Sequence, residues 1–195
     1  METTAKLIFV TGGVRSGKSR MAEEAAQRET LPSEGKLYYI ACGKVTDSEM
    51  SERVRHHQVQ RYKSQGNWLT VEQPDDLASL AEHFKASDVL LIDCLTTWLT
   101  NEWFDEAVPE EEWACPMFQQ SLKERITGAI DKLRKRTRSI VIVSNELSYE
   151  ALETPLVFYY AKVLGELHQY LVRQSNQVFL VEYGQRLLLK GGDPE

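Results

Sequence analysis

Short apolar runs recur along the chain, and most stretches between them carry the three-to-four-residue apolar spacing of helices. Leu7–Thr11, Leu37–Ala41, Trp68–Glu72, Val89–Asp93 and Ile140–Ser144 are rich in β-branched or aromatic residues and read as strands. Gln177–Val181 and Arg186–Lys190 close the chain as strands around a Tyr183-Gly184 turn. Ser19–Arg28, Asp75–Lys85, Met117–Arg136 and Pro155–Gln174 read as helices. Thr46-Asp47-Ser48-Glu49 matches a capping box, which predicts a helix that starts there and runs past His57. Leu31–Gly35 and the acidic stretch Asp105–Pro116, with Pro109 and Pro116, read as loops. Several strands are apolar throughout, so both of their faces should be buried. Alternation of such strands with helices predicts an α/β protein: a largely parallel sheet with helices on both faces. With no internal repeat or low-complexity linker, residues 1–195 are expected to form a single domain.

Charge narrows the partners. The 29 acidic and 23 basic side chains give a formal net charge of −6, which repels a phosphate backbone, so no nucleic-acid partner is expected. Cys42, Cys94 and Cys115 are odd in number and form no Cys-x-x-Cys pair, which argues against a disulfide framework or a zinc site and for a reducing compartment. The polar start Met1-Glu2-Thr3-Thr4 does not fit a signal peptide, and no apolar stretch approaches the roughly 18 residues of a spanning helix. No transmembrane segment and a cytoplasmic location are therefore expected.

The strongest local chemistry follows the first strand. Gly12-Gly13-Val14-Arg15-Ser16-Gly17-Lys18-Ser19 fits the Walker A pattern Gly-x-x-x-x-Gly-Lys-Ser and sits between a strand and a helix, the setting that pattern requires. Glycines let successive backbone N–H groups turn toward phosphate oxygens, and the helix N-terminus adds a favourable dipole. Lys18 supplies a charge for the outer phosphates, and the Ser19 hydroxyl suits Mg²⁺. Arg15 reads either as a reach toward a terminal phosphate or as a solvated loop residue. Asp93, which ends an apolar strand, reads as a Walker B acid orienting Mg²⁺ or as a cap for the next turn. The expected fold class is therefore α/β, P-loop NTPase, RecA-like.

Two of the four histidines are adjacent, His56 and His57. On a helix from Thr46, Glu49, Arg53, His57 and Arg61 share one stripe, and His56 points about 100° away. A histidine between two arginines could attack or hold a phosphate; composition alone equally fits a surface histidine on a charged helix.

The chain also resembles the bifunctional adenosylcobinamide kinase/adenosylcobinamide-phosphate guanylyltransferase family of cobalamin biosynthesis. The resemblance rests on Thr11–Arg20, Tyr39-Ile-Ala41, Asp47-Ser-Glu-Met50, Arg53-Val-Arg-His-His57 with Arg61, Trp68–Glu72, Asp93-Cys-Leu-Thr-Thr-Trp-Leu-Thr-Asn101 and Val143-Ser-Asn-Glu146, in the family's order. It implies phosphorylation of the aminopropanol hydroxyl of adenosylcobinamide, then transfer of GMP from GTP onto the phosphate through a GMP–histidine intermediate. It places that histidine four residues after Arg53, at His57, with Lys18 as the second catalytic residue. It further implies that Ala41, Cys42, Gly43, Gln58, Val59, Gln60, Arg61, Glu72 and Asp93 join the Walker A residues around the nucleotide. Mg²⁺ held by Ser19 and Asp93, GTP and ATP as substrates, adenosylcobinamide or its phosphate as partner and a homotrimeric assembly complete the implication. The same residues fit two narrower readings: an enzyme keeping one of the two activities, or a nucleotide-binding regulatory protein on this scaffold. The C-terminal quarter departs from the pattern. Leu147–Thr154 lacks the family's glycines, and Ala161, Lys162 and His168 stand where its helix carries Arg, Asp and Asn. His168 reads as a packing or surface residue rather than a ligand, and Tyr183–Lys190 as structural.

Overall fold

The computed structural model describes residues 4–31, 34–43, 67–105, 107–147 and 154–192. Seven strands form one sheet: β1 (Lys6–Gly12), β2 (Leu37–Ala41), β3 (Trp68–Glu72), β4 (Val89–Asp93), β5 (Ser139–Asn145), β6 (Gln177–Glu182) and β7 (Gln185–Lys190). Their order is β3-β2-β4-β5-β1-β6-β7, and every pairing is parallel except that of β6 with β7. The described α-helices are α1 (Lys18–Glu29), α2 (Leu95–Trp103), α3 (Pro116–Arg134) and α4 (Pro155–Gln174).

The apolar runs are explained by burial on two faces. Leu7 and Phe9 of β1, Leu90 and Ile92 of β4, and Ile140 and Ile142 of β5 enter one core with α2, α3 and α4. Their neighbours Ile8, Val10, Val89, Leu91, Val141 and Val143 enter a second core beneath α1. That helix presents Met21, Ala22, Ala25 and Ala26, so mostly small side chains meet the sheet. Pro155 opens α4 at its first turn, and the Thr154 hydroxyl caps it by accepting from Val157 N.

The helix expected over Asp75–Lys85 is instead a tight 3₁₀ segment, Leu77–His83. Asp76 stands before it as the N-cap in a left-handed conformation, φ 42°, so the helical segment begins only at Leu77. The Asp88 carboxylate accepts from Lys85 N and fixes the exit. The loop expected over Asp105–Pro116 holds a 3₁₀ turn, Glu110–Glu112, and Pro116 is already the first residue of α3. Helix α2 has no counterpart among the elements expected from the sequence. The helix expected from Thr46 lies outside the described residues.

Candidate nucleotide site

Parallel strands deliver their C-terminal ends to one edge, where α/β sheets gather ligands. Gly12 lies opposite Asn145, Ala41 lies opposite both Glu72 and Asp93, and Asp93 lies opposite Val143. The sequence-predicted residues thus stand along that edge in two groups. The Gly12–Ser19 loop and Asp93 form the first. Ala41, Cys42, Gly43 and Glu72 form the second, and Glu72 is four strands from β1, roughly 19 Å at the usual interstrand spacing. One phosphate cradle does not span that distance. His57, Gln58, Val59, Gln60 and Arg61, like His56, lie outside the described residues.

The loop has backbone that only glycine suits at two positions. Gly17 adopts φ 95° at the N-cap of α1, a conformation that favours glycine. A Cβ on Gly12 would stand 2.2 Å from the Val181 carbonyl oxygen, so close approach to β6 also demands glycine there. Arg15 is exposed in the left-handed region at φ 59°. Lys18 is 7% exposed, and its ammonium donates to Gly13 O at 2.9 Å. Burial lowers its pKa, while Cys94 and Asp93 act in the opposite sense. Asp93 therefore lies within electrostatic reach of Lys18, and its Oδ2 accepts from the Tyr39 hydroxyl at 2.9 Å. Buried Ser16 Oγ and Thr11 Oγ1 have no hydrogen-bond partner among the described residues. Such atoms call for a ligand or an ordered water.

These groups fit a magnesium–nucleotide complex. Among the described residues no cluster of three or more His, Cys, Asp or Glu forms a metal site. Mg²⁺ on a nucleotide needs none, because one or two carboxylates and the substrate phosphates hold it. Asp93 and the half-buried Ser19 supply donors of the right kind. Cys42 and Cys94 are not candidate nucleophiles, since burial pushes both thiols above their ordinary range.

The segment after Asp93 acts as a clasp along the edge. Asn101 donates from Nδ2 to Cys42 O at 2.7 Å and to Pro74 O at 2.8 Å, tying the turns after β2 and β3 together. Glu102 accepts from Trp98 Nε1, Asp76 N and Arg125. Thr96 Oγ1 accepts from Asn145 N at 2.8 Å and meets Ser144 Oγ at 3.1 Å. His168 Nε2 lies 2.7 Å from the same Ser144 hydroxyl, and its ring packs on Phe9. His168 thus has the packing role expected of it. Lys162 faces Glu166 at 4.0 Å, and Glu166 also pairs with Lys123. Asn101, Thr96 and Ser144 carried no assigned role in the sequence, although all three stand in the quoted motifs.

A cavity of about 610 Å³ opens over the loop, lined by Gly13, Val14, Arg15, Ser16, Glu146, Glu182 and Tyr183. The β6–β7 turn forms one wall, and Gly184 N donates to Ser16 O at 2.9 Å. On the other side Glu146 N donates to Gly12 O at 2.9 Å. The turn residues Tyr183 and Gly184 and the carboxylates Glu146 and Glu182 were not foreseen as site residues, because their place depends on how the last hairpin docks. No helix among the described residues is long and apolar enough to cross a membrane.

The family described as cobinamide kinase / cobinamide phosphate guanyltransferase matches residues 8–189. The bifunctional adenosylcobalamin biosynthesis protein CobU of Escherichia coli is 31% identical over 188 residues, covering 94% of this chain and 99% of that protein. CobP of Pseudomonas aeruginosa, with the same description, is 32% identical over 185 residues, covering 94% and 96%. Among solved structures, a KaiC-like protein from Pyrococcus horikoshii OT3 aligns with 97% of this chain and 81% of its own at a TM-score of 0.48 and 11% identity.

Proposed function

The chain belongs to the cobinamide kinase / cobinamide phosphate guanyltransferase family, and on that premise we propose that it carries out both reactions of that name in cobalamin nucleotide-loop biosynthesis. In the first, the Gly12–Ser19 loop holds the phosphates of ATP or GTP while the terminal phosphoryl group passes to the aminopropanol hydroxyl of adenosylcobinamide. In the second, the neutral His57 imidazole attacks the α-phosphorus of GTP. A P–N bond forms, and the P–O bond to the leaving pyrophosphate breaks. A phosphate oxygen of adenosylcobinamide phosphate then displaces the imidazole, which leaves with its electron pair restored. Bound Mg²⁺ would neutralise charge on the phosphates. Lys18 exchanges its bond to Gly13 O for the outer phosphates, and Ser16 Oγ has a hydrogen bond free to offer. Asp93, held by Tyr39 and within electrostatic reach of Lys18, would with Ser19 help to hold the Mg²⁺.

The observation that carries this reading is a Walker A loop of the required backbone geometry, with Lys18 and Asp93 in electrostatic reach, in a chain whose family match runs from residue 8 to 189. The RecA-like assignment of the sheet belongs to the same proposal, supported by β5 lying between β1 and β4. The second group of edge residues, Ala41–Gly43 and Glu72, flanks the point where the segment bearing His57 leaves β2, which suits the guanylyl-transfer half. Incubation with α-labelled GTP and Mg²⁺, followed by mapping of the covalent label and a test of its release by adenosylcobinamide phosphate, decides the matter. No label and no transfer would reject the guanylyltransferase half. No ATP-dependent phosphorylation of adenosylcobinamide would reject the kinase half.

A further inference from the structure

We infer that Tyr183 is a stacking platform for the base of the nucleotide whose phosphates occupy the Gly12–Ser19 loop. The inference rests on the phosphate-loop reading above and extends it to the nucleoside. Three features of the last hairpin lead to it. The Tyr183 side chain is the most exposed large apolar group among the described residues, at 97%, yet it lines the cavity over the loop. Its backbone has φ 50°, followed by Gly184 at φ 75°, the pair of positive angles of a tight two-residue hairpin turn. Asn, Asp or Gly normally takes the first of those positions, and a bulky ring held there is a costly choice for turn formation alone. The turn is also fastened to the loop itself, through Gly184 N to Ser16 O at 2.9 Å, and Gly17 and Gly184 are in near contact. The backbone that bears the ring is therefore held at a fixed offset from the loop.

Charge orients the ligand within the cavity. Glu146 and Glu182 line the same walls as Tyr183. Their carboxylates disfavour polyphosphate beside them and accept hydrogen bonds from ribose hydroxyls or base amines. The phosphates then take the Gly13–Ser16 side, with Lys18 bonded behind it to Gly13 O, and the nucleoside takes the acidic, aromatic side. The volume, about 610 Å³, lies within the range of small-ligand pockets. Every base offers a π-face, so a stack of this kind is tolerant of base identity. ATP and GTP should gain comparably from it.

The test compares nucleotides with inorganic tripolyphosphate, which has phosphates but no base, by calorimetric titration in the presence of Mg²⁺. Tyr183→Ala should weaken ATP and GTP about tenfold, the order expected for one base–aromatic stack, and leave tripolyphosphate affinity unchanged. Tyr183→Phe and Tyr183→Trp should keep nucleotide affinity within about twofold, because the ring is retained. Undiminished ATP and GTP affinity in Tyr183→Ala, with tripolyphosphate still bound, would overturn the stack alone. An equal loss for tripolyphosphate would also overturn it, by showing that the turn only braces the loop. If wild-type protein bound no tripolyphosphate and Lys18→Ala changed nothing, the phosphate cradle would fall, and the stack with it.

Discussion

Asn101 offers a direct check on the clasp that spans the sheet edge. Its Nδ2 donates to Cys42 O at 2.7 Å and Pro74 O at 2.8 Å, carbonyls from two different turns. Asn101→Ala removes both donors and leaves two inward-facing acceptors. Each unsatisfied buried acceptor costs about 1–3 kcal/mol. Cys42 is fully buried and feels the full penalty, whereas half-buried Pro74 can recruit water. The sum is then about 2–4 kcal/mol, and a domain of this size loses roughly 2–4 °C of Tm per kcal/mol. Differential scanning calorimetry should therefore show a drop on the order of 5–15 °C. Asn101→Asp sharpens the test, because it keeps the shape but sets a carboxylate against two carbonyl oxygens. That environment raises the folded-state pKa of the introduced acid, so its destabilisation is greatest at neutral pH and eases as pH falls through the raised value. A Tm change under about 2 °C for both variants would refute the claim that Asn101 holds these turns. So would a pH-independent deficit for the aspartate.

Lys18→Ala should abolish both activities and weaken tripolyphosphate binding while the fold persists; near-normal turnover would sink the phosphate-loop assignment. His57→Ala should lose the acid-labile, base-stable GMP label and guanylyl transfer but retain nucleotide binding, and His56→Ala should keep all three. Label that survives in His57→Ala and vanishes in His56→Ala would move the nucleophile by one residue. His168 has its pKa lowered by burial, with Glu146 opposing. The unfolded chain therefore binds a proton that the folded one resists; the resulting stability is present above pH 6.5 and is lost as pH falls through the folded value. His168→Asn should flatten stability between pH 6.5 and 5 in urea titrations, and an unchanged slope would count against the buried neutral imidazole.

The central strands were legible because each carries its own proof of burial: Val89–Ile92 is apolar at every position, as only a strand covered on both faces needs to be. The special backbone at Gly12 and Gly17 was legible for a similar reason, since a close approach and a positive φ write themselves into glycines. Helix α2 was missed although Leu95, Trp98, Leu99 and Trp103 recur at helical spacing and are all buried. It is short, and it begins one residue after a strand, so no polar loop or side-chain cap announces it. The Asp75–Lys85 segment departed in the opposite sense: composition favoured an α-helix, and the chain winds instead as a short 3₁₀ helix between the Asp76 cap and the Asp88 carboxylate that holds Lys85 N. Asn101, Ser144 and Tyr183 were visible as letters but not as site residues, because their partners come from turns that only the folded sheet brings near. The nucleophile rests on family pattern, as its segment lies outside the described residues.

The position of β1 has a consequence for how the chain is made. Both of its partners in the sheet, β5 and β6, come from the C-terminal third, with Lys6 opposite Ser139 and Thr11 opposite Leu180. On leaving the ribosome β1 thus waits for more than a hundred residues before either neighbour exists, on the order of ten seconds at roughly 5–20 residues per second. Its apolar run Leu7–Val10 stays uncovered through that interval, open to mispairing. The Ser16–Gly184 bond postpones completion further, because the loop after β1 is closed only by the β6–β7 hairpin. A nascent chain arrested before Tyr183 should therefore bind nucleotide poorly, and competence should arrive in a single step once the β6–β7 hairpin has emerged.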